Sequence, residues 1–212
     1  IGRPFLRYAR DAGIGWVRVD FRWDEIQHND STELDLSRID STVARAHGLG
    51  INVLGVLAYA PAWARRGDPT RNAPHPDDYA AWERFVERVV THPSMEGVRY
   101  WSVWNEPNTR DFFRGWTDDP WAEYIELVRR ASVPIRDRAG DFAVVGEYAW
   151  DPSVHERMAR LLDSVGECCT DVVAVHLYGS EGDARSSLHA LAPRLARTME
   201  TPWQWDVWLT ET

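Results

Sequence analysis

The chain contains no lysine: all 24 of its basic residues are arginine. Codon bias in a GC-rich genome is the preferred reading, with a salt-adapted acidic surface as the alternative. No basic block offsets the 33 acidic residues, and a net charge of -9 argues against nucleic acid and anionic membranes as partners. No apolar run approaches the roughly 18 residues that a membrane helix needs. Cysteine is scarce. Cys168 and Cys169 are adjacent, a spacing that rarely pairs, and no Cys/His spacing suggests zinc. No glycine-rich phosphate loop follows any apolar segment, which weakens a nucleotide-binding reading. Ile1 to Phe5 carry no signal-peptide pattern, but the chain does not start with Met. A soluble protein, secreted or cytoplasmic, fits equally.

What is present is one pattern repeated: short apolar strand, loop, amphipathic helix. Hydrophobic content of 44% over 212 residues suits a single domain, 1–212, with a sizeable core. Strands are expected over Trp16–Phe21, Ile51–Tyr59, Val98–Asn105, Phe142–Tyr148, Asp171–Tyr178 and Trp205–Thr210. Helices are expected over Arg3–Ala12, Ser37–His47 and Asp77–Val90. The last of these carries Trp82, Phe85, Val86, Val89 and Val90 on one face, at helical spacing. Two more helices follow the caps Asp119-Pro120 and Asp151-Pro152, and Leu188, Leu191, Ala192 and Leu195 mark another. Strict alternation of strand and helix implies a parallel sheet. Polar and aromatic residues gather at the C-terminal ends of the strands, where a (β/α)8 TIM barrel keeps its active face. Six strands cannot close an eight-stranded barrel. The α/β fold is therefore expected as an incomplete segment, about strands 2 to 7, with strand 1 and the strand 8 region outside it.

Two strand-end glutamates carry the chemistry. Glu106 lies in Trp101-Ser-Val-Trp-Asn-Glu-Pro-Asn108, and Pro107, which lacks an N–H, should end the ladder and leave Glu106 on the rim. Glu211, in Val207-Trp-Leu-Thr-Glu-Thr212, ends the apolar strand Trp205–Thr210. Glycosidic cleavage requires one carboxylic acid that protonates the leaving oxygen and a second carboxylate that attacks or activates water. Capping or surface roles are the alternatives for each glutamate taken singly; as a pair on two strands of one barrel they converge across its mouth. Asn105 can hydrogen-bond a sugar hydroxyl. Arg18 shares a strand face with Trp16 and Asp20, where a guanidinium would keep a nucleophilic carboxylate ionised. His176 and Tyr178 share a face with Val172 and Ala174, and a Tyr hydroxyl donated to a carboxylate would orient it. A buried Arg–Asp pair, a satisfied core His and a rim Tyr are the structural alternatives.

Aromatics crowd the post-strand loops: Tyr59, Trp63, Phe112, Phe113, Trp116 and Trp150. Sugar rings stack on such faces, and Trp63 and Trp116 are the candidates for binding, although twelve Trp must mostly pack. Glu147 could contact a hydroxyl or sit on the surface. Arg65, Arg66 and His75 could meet an acidic sugar, but a solvated loop is the preferred reading.

At these residues the chain resembles the clan A glycoside hydrolases, the retaining (β/α)8-barrel enzymes, and looks most like glycoside hydrolase family 39 and its near relatives, which include β-xylosidases and α-L-iduronidases. The matching stretches are Trp16–Trp23 (WVRVDFRW), Tyr59–Trp63 (YAPAW), Trp104–Asn108 (WNEPN), Val175–Tyr178 (VHLY) and Trp208–Glu211 (WLTE). They run in the order of barrel strands two, three, four, six and seven. The resemblance implies Glu106 as acid/base, Asn105 as partner of the substrate 2-hydroxyl, Glu211 as nucleophile, and Arg18 and Tyr178 as its supports. His176 falls at a position the clan often uses. The expected activity is retaining O-glycoside hydrolysis on a carbohydrate substrate, without metal or organic cofactor. Two rivals stand beside it. One is a non-catalytic carbohydrate-binding barrel. The other is a metal-assisted barrel lyase using Glu106, Glu147 and Glu211.

Overall fold

A computed structural model describes residues 3–30, 33–138, 140–151, 153–166, 169–178, 186–187, 189–191, 193 and 206–211. Six parallel strands lie in sequence order: β1 (Trp16–Arg22), β2 (Asn52–Ala58), β3 (Tyr100–Val103), β4 (Phe142–Ala149), β5 (Val172–His176) and β6 (Asp206–Glu211). The α-helices whose bounds lie among the described residues are α1 (Arg3–Asp11), α2 (Trp23–Ile26), α3 (Ser37–Gly48), α4 (Tyr79–Val90), α5 (Pro120–Asp137) and α6 (Val154–Val165). These are six consecutive strands of a (β/α)8 barrel with helices between them, as the alternating pattern implies.

The two faces of the sheet do different work, and period-two alternation sorts the residues. Val17, Val19 and Phe21 of β1, Val53 and Leu57 of β2, and Trp101 and Val103 of β3 face the helices in the main core. The α4 stripe closes on them: Trp82, Phe85, Val86, Val89 and Val90 are all buried, and Trp82 Nε1 donates to the Leu127 carbonyl on α5 at 3.0 Å. The other face encloses a smaller layer of Leu54, Val144, Val172 and Ala174, capped by Tyr100 and Trp208. Below that layer, near the strand N-termini, Trp16 meets Tyr100 at 5.0 Å and Trp208 at 5.3 Å, while Tyr100 stacks on Phe142 at 4.7 Å. β1 and β6 are the two ends of the sheet, so the Trp16–Trp208 contact shows that the sheet curls far enough to bring its ends together.

Several boundaries differ from the expected ones. The strand expected over Val98–Asn105 pairs only across Tyr100–Val103, because Trp104 turns out of the ladder with φ 70°. The helix expected from Asp77 starts with a 3-10 turn, Pro76–Asp78, capped by His75, before α4 proper. Asp119 caps α5 as expected, its carboxylate accepting from the Ala122 N–H at 3.1 Å. Leu191 is helical and buried; Leu188, Ala192, Leu195, Pro152 and Cys168 lie outside the described residues.

Two irregularities shape the C-terminal rim of the sheet. The β4–β5 register shifts between Val145 and Tyr148, and the β5–β6 register shifts so that His176 pairs with Glu211 rather than Thr210. The first shift is built on Gly146 at φ 100°, a conformation glycine adopts without steric cost. Its N–H donates to the Tyr124 hydroxyl at 3.0 Å, and that hydroxyl donates to the Val103 carbonyl at 3.0 Å, so α5 clamps the bulge from outside. A Cβ at Gly146 would clash with the Tyr148 ring and lie 2.9 Å from the Ala174 carbonyl oxygen. Gly146→Ala is therefore expected to lower stability by roughly 2–5 kcal/mol through backbone strain and overpacking together. Urea denaturation measures this, and a loss below about 1 kcal/mol would mean the bulge relaxes freely.

Candidate active site

Parallel strands all deliver their C-terminal ends to one side of the sheet. The structure brings Arg18 (β1), Asn105 and Glu106 (past β3), Glu147 (β4), His176 (end of β5), Tyr178 and Glu211 (end of β6) together there. The backbone is strained at the same rim. Among the described residues, Tyr59, Trp104, Glu106 and Glu147 take positive φ values of 65°, 70°, 39° and 44°, the kind of outlier that persists only where packing over-determines it.

The side chains form one connected cluster. Arg18 Nε donates to Glu147 Oε2 at 2.9 Å, Nη2 donates to Asn105 Oδ1 at 2.5 Å, and Nη1 lies 3.0 Å from Glu211 Oε1. His176 Nδ1 lies 2.8 Å from Glu106 Oε1 and its Nε2 lies 2.8 Å from Glu147 Oε2. Tyr178 donates its hydroxyl to Glu211 Oε2. Glu147 and His176 are fully buried, Asn105 and Glu106 nearly so, and Tyr178 is 62% exposed. The cluster therefore grades from a dry floor to a wet rim. An oxygen of Glu106, a nitrogen of His176 and an oxygen of Glu211 all lie within 4.8 Å of one another.

Charge follows from this packing. Burial disfavours the charged imidazole of His176, but hydrogen bonds to Glu147 and Glu106, with the charges of Glu147 and Glu211, outweigh it and hold His176 above its ordinary pKa. Burial likewise opposes the charge on Arg18, and Glu147, Asp20 and Glu211 more than compensate. The hydrogen bond from Tyr178 to Glu211 pushes its phenol up to about 12, so it is a donor at any physiological pH. Asp20 is raised, chiefly by burial, against the pull of Arg18 and Arg22.

Glu147 is not a surface residue. The β4 bulge turns it inward to pair with both Arg18 and His176. The sequence cue was Gly146 inside a strand, which marks a bulge that re-aims its neighbour. Arg66 pairs with Asp77 and Asp78, and Arg65 donates to the Asp68 and Arg71 carbonyls, so both arginines stitch their own loop. Trp63 donates to the Gln27 carbonyl and meets Trp23 edge-on at 5.4 Å. Trp116 donates to the Ala73 carbonyl, meets His75 edge-on at 4.8 Å and lies under Arg71. Both rings stay partly exposed, yet their contacts tie loops together, and neither is drawn into the carboxylate cluster by them. Phe113 is buried in the core, Phe112 is exposed, and Tyr59 and Trp150 pack half-buried on the core. Arg22 stacks over Tyr59 at 4.6 Å.

Asn108 closes the Trp104–Asn108 motif as a clasp. Its Nδ2 donates to the Ala149 carbonyl at 2.7 Å and its Oδ1 accepts from the Ala149 N–H at 3.1 Å, locking the loop that carries Glu106 to the end of β4. Removing both bonds in Asn108→Ala is expected to cost about 1–3 kcal/mol. Denaturation would measure it, and an unchanged midpoint would show that water replaces the clasp.

No family model matches the chain. It is 25% identical over 239 residues to a β-xylosidase of Caldicellulosiruptor saccharolyticus, covering 100% of this chain and 46% of that protein. Its fold matches a family 39 glycoside hydrolase from Bacteroides cellulosilyticus with a TM-score of 0.66 at 21% identity, over 81% of this chain and 34% of the other. A monomeric β-xylosidase from Caulobacter crescentus matches with a TM-score of 0.71 at 16% identity, over 97% of this chain and 47% of the other. The chain thus has a barrel fold similar to that of these glycoside hydrolases. Within that class it is similar to family 39 and the β-xylosidases. It spans about half the length of the curated relative it matches. No described helix is long and apolar enough to cross a membrane.

Proposed function

We propose that residues 1–212 form the greater part of a single catalytic barrel domain of a retaining glycoside hydrolase, with Glu211 as nucleophile and Glu106 as acid/base. The observation that carries this reading is the proximity of the two carboxylates, with one oxygen of each within 4.8 Å of the other. Retaining enzymes hold the two groups about 5–5.5 Å apart, whereas inverting enzymes need about 6.5–9.5 Å to admit a water.

The geometry fits a double displacement. Glu211 attacks the anomeric carbon while the bond to the leaving oxygen breaks and the Glu106 proton passes to that oxygen. Water then attacks the same carbon, Glu106 takes its proton, and the Glu211 ester bond breaks. Arg18 at one carboxylate oxygen and Tyr178 at the other hold Glu211 in its orientation. Arg18 also engages Asn105 Oδ1, which leaves the Asn105 amide nitrogen to serve Tyr59, its partner here, and a sugar hydroxyl. Trp63 and Trp116, partly exposed in the loops around the mouth, remain the proposed stacking residues. The β-xylosidase relatives make aryl β-xylosides the first substrates to try.

The close grouping of Glu106, His176 and Glu211 could also suit a divalent cation in a metal-assisted lyase. That reading is disfavoured because the Arg18 cation already lies 3.0 Å from Glu211 and His176 Nδ1 is engaged with Glu106. Glu147 faces Arg18 and His176 from behind rather than completing a metal shell.

Initial rates on a panel of aryl glycosides test the proposal. Glu211→Ala should abolish turnover, and azide should restore release of the phenol while the sugar is captured as a glycosyl azide. Glu106→Ala should lower kcat/KM about 10²–10⁴-fold for poor leaving groups and far less for activated ones. If the wild-type protein binds sugars but hydrolyses none, a non-catalytic carbohydrate-binding barrel becomes the better account. Turnover that tracks bound metal and is abolished by chelation would favour the lyase.

A further inference from the structure

We infer that Glu147 is a positioning residue that couples the two catalytic carboxylates, acting on Glu106 through His176 and on Glu211 through Arg18. The inference rests on the glycosidase reading for the roles of Glu106 and Glu211, but the coupling itself stands on the geometry around Glu147.

A single oxygen, Glu147 Oε2, lies 2.8 Å from His176 Nε2 and 2.9 Å from Arg18 Nε. Each of those partners then reaches one catalytic carboxylate: His176 Nδ1 is 2.8 Å from Glu106 Oε1, and Arg18 Nη1 is 3.0 Å from Glu211 Oε1. Glu147 therefore sits at the junction of two arms, each ending on one of the groups that must change charge during turnover. It is fully buried, and its other oxygen, Oε1, is buried without a hydrogen-bond partner. The chain holds Glu147 in place at the cost of a positive φ and a bulge clamped by Tyr124. A buried acceptor with no role would not need that support.

The chemistry is a question of where one proton resides. With Glu147 ionised, the Nε2 of His176 carries a hydrogen directed at Oε2. Nδ1 then either accepts the Glu106 proton or, once His176 is charged, donates to the Glu106 carboxylate. Glu106 must hold a proton in the first step and lack one in the second. An imidazole fixed between two carboxylates can accept and return that proton without turning. The other groups facing His176 are Glu211, with Oε2 3.7 Å from Nδ1, Tyr178 two residues past the end of β5, and Arg18 beyond Glu147. Of these, Glu147 is the buried anion in direct contact at Nε2, so removing its charge should release the proton shared by His176 and Glu106 more readily.

The test is a pair of titrations on the intact protein. Nitrogen-15 NMR of the His176 ring should give a midpoint above the ordinary value of about 6.5 in the wild type. In Glu147→Gln the midpoint should fall by about one pH unit or more. The basic limb of the kcat/KM profile on an aryl glycoside should move to lower pH by a similar amount, and Glu147→Asp, which keeps the charge, should leave that limb near its wild-type position. An unchanged His176 midpoint in Glu147→Gln, or a fall in kcat with no movement of the limb, would reduce Glu147 to a structural prop and overturn the inference. If Glu147→Gln does not fold, the wild-type and Glu147→Asp titrations decide: raised midpoints in both support the coupling, and a wild-type midpoint at or below about 6.5 overturns it. Should the wild type hydrolyse no glycoside, the functional reading fails while the NMR titration still decides whether Glu147 governs His176.

Discussion

Arg18 bridges the two ends of the sheet, and the arrangement of the rim depends on that bridge. Among the described residues, β1 and β6 are not paired in the sheet. They are brought near by the curl of the sheet, fixed low down by Trp16 against Trp208 and high up by Arg18 against Glu211. The lower contact is apolar and insensitive to charge. The upper one is an ion pair at the dry edge of a wet opening, where its strength depends on how much water enters. Arg18 also holds Asn105 and Glu147, so one guanidinium fork sets positions on four of the six strands: its own, the ends of β3 and β4, and β6. A lysine there would supply one point charge without the planar fork that holds several partners at once.

Much of the fold is legible in the sequence because its elements obey single periodicities. The α4 stripe is fully buried as its spacing implies, and the strands expected from apolar runs pair in sequence order. The misjudged C-terminal ends of the strands share one physical cause. Trp104, Glu106 and Tyr59 carry positive φ at the rim, where apolar composition still suggests a strand but the backbone has left the ladder. Apolar content reports burial, and burial continues past the last paired residue in a barrel whose rim is packed.

The site was legible in proportion to how well its residues keep strand parity. Arg18 lies in step with Trp16 on β1, and His176 lies in step with Val172 and Ala174 on β5; all face the interior as alternation requires. Glu147 and Glu211 break that rule. Counting by twos from Val144 or Trp208 sends both toward the helices, and a register shift at each strand end turns them inward. Glu211 was still found, because a glutamate closing an apolar strand draws notice by itself and the match to a family motif reinforced it. Glu147 had no such motif, and its only cue was the glycine before it. Trp63 and Trp116 are a different case: an aromatic in a loop has the composition of a sugar platform, and these two also brace one loop against another.

The bulges also explain why the polar cluster can sit so close to an apolar layer. A regular strand places alternate residues on the interior at fixed height, so a carboxylate on every strand would put like charges at one level with no room for cations between them. Shifting the register at the ends of β4 and β6 offsets Glu147 and Glu211 from that ladder and lets Arg18 and His176 interleave with them. Each buried anion then meets a cation or a polarised ring before it meets another anion, which is the condition for burying such groups at all. The strain at Glu106 and Glu147 is the local cost of that alternation, and the asparagine and tyrosine clasps on the outside, Asn108 to Ala149 and Tyr124 to Gly146, hold the strained backbone where the interior charges need it.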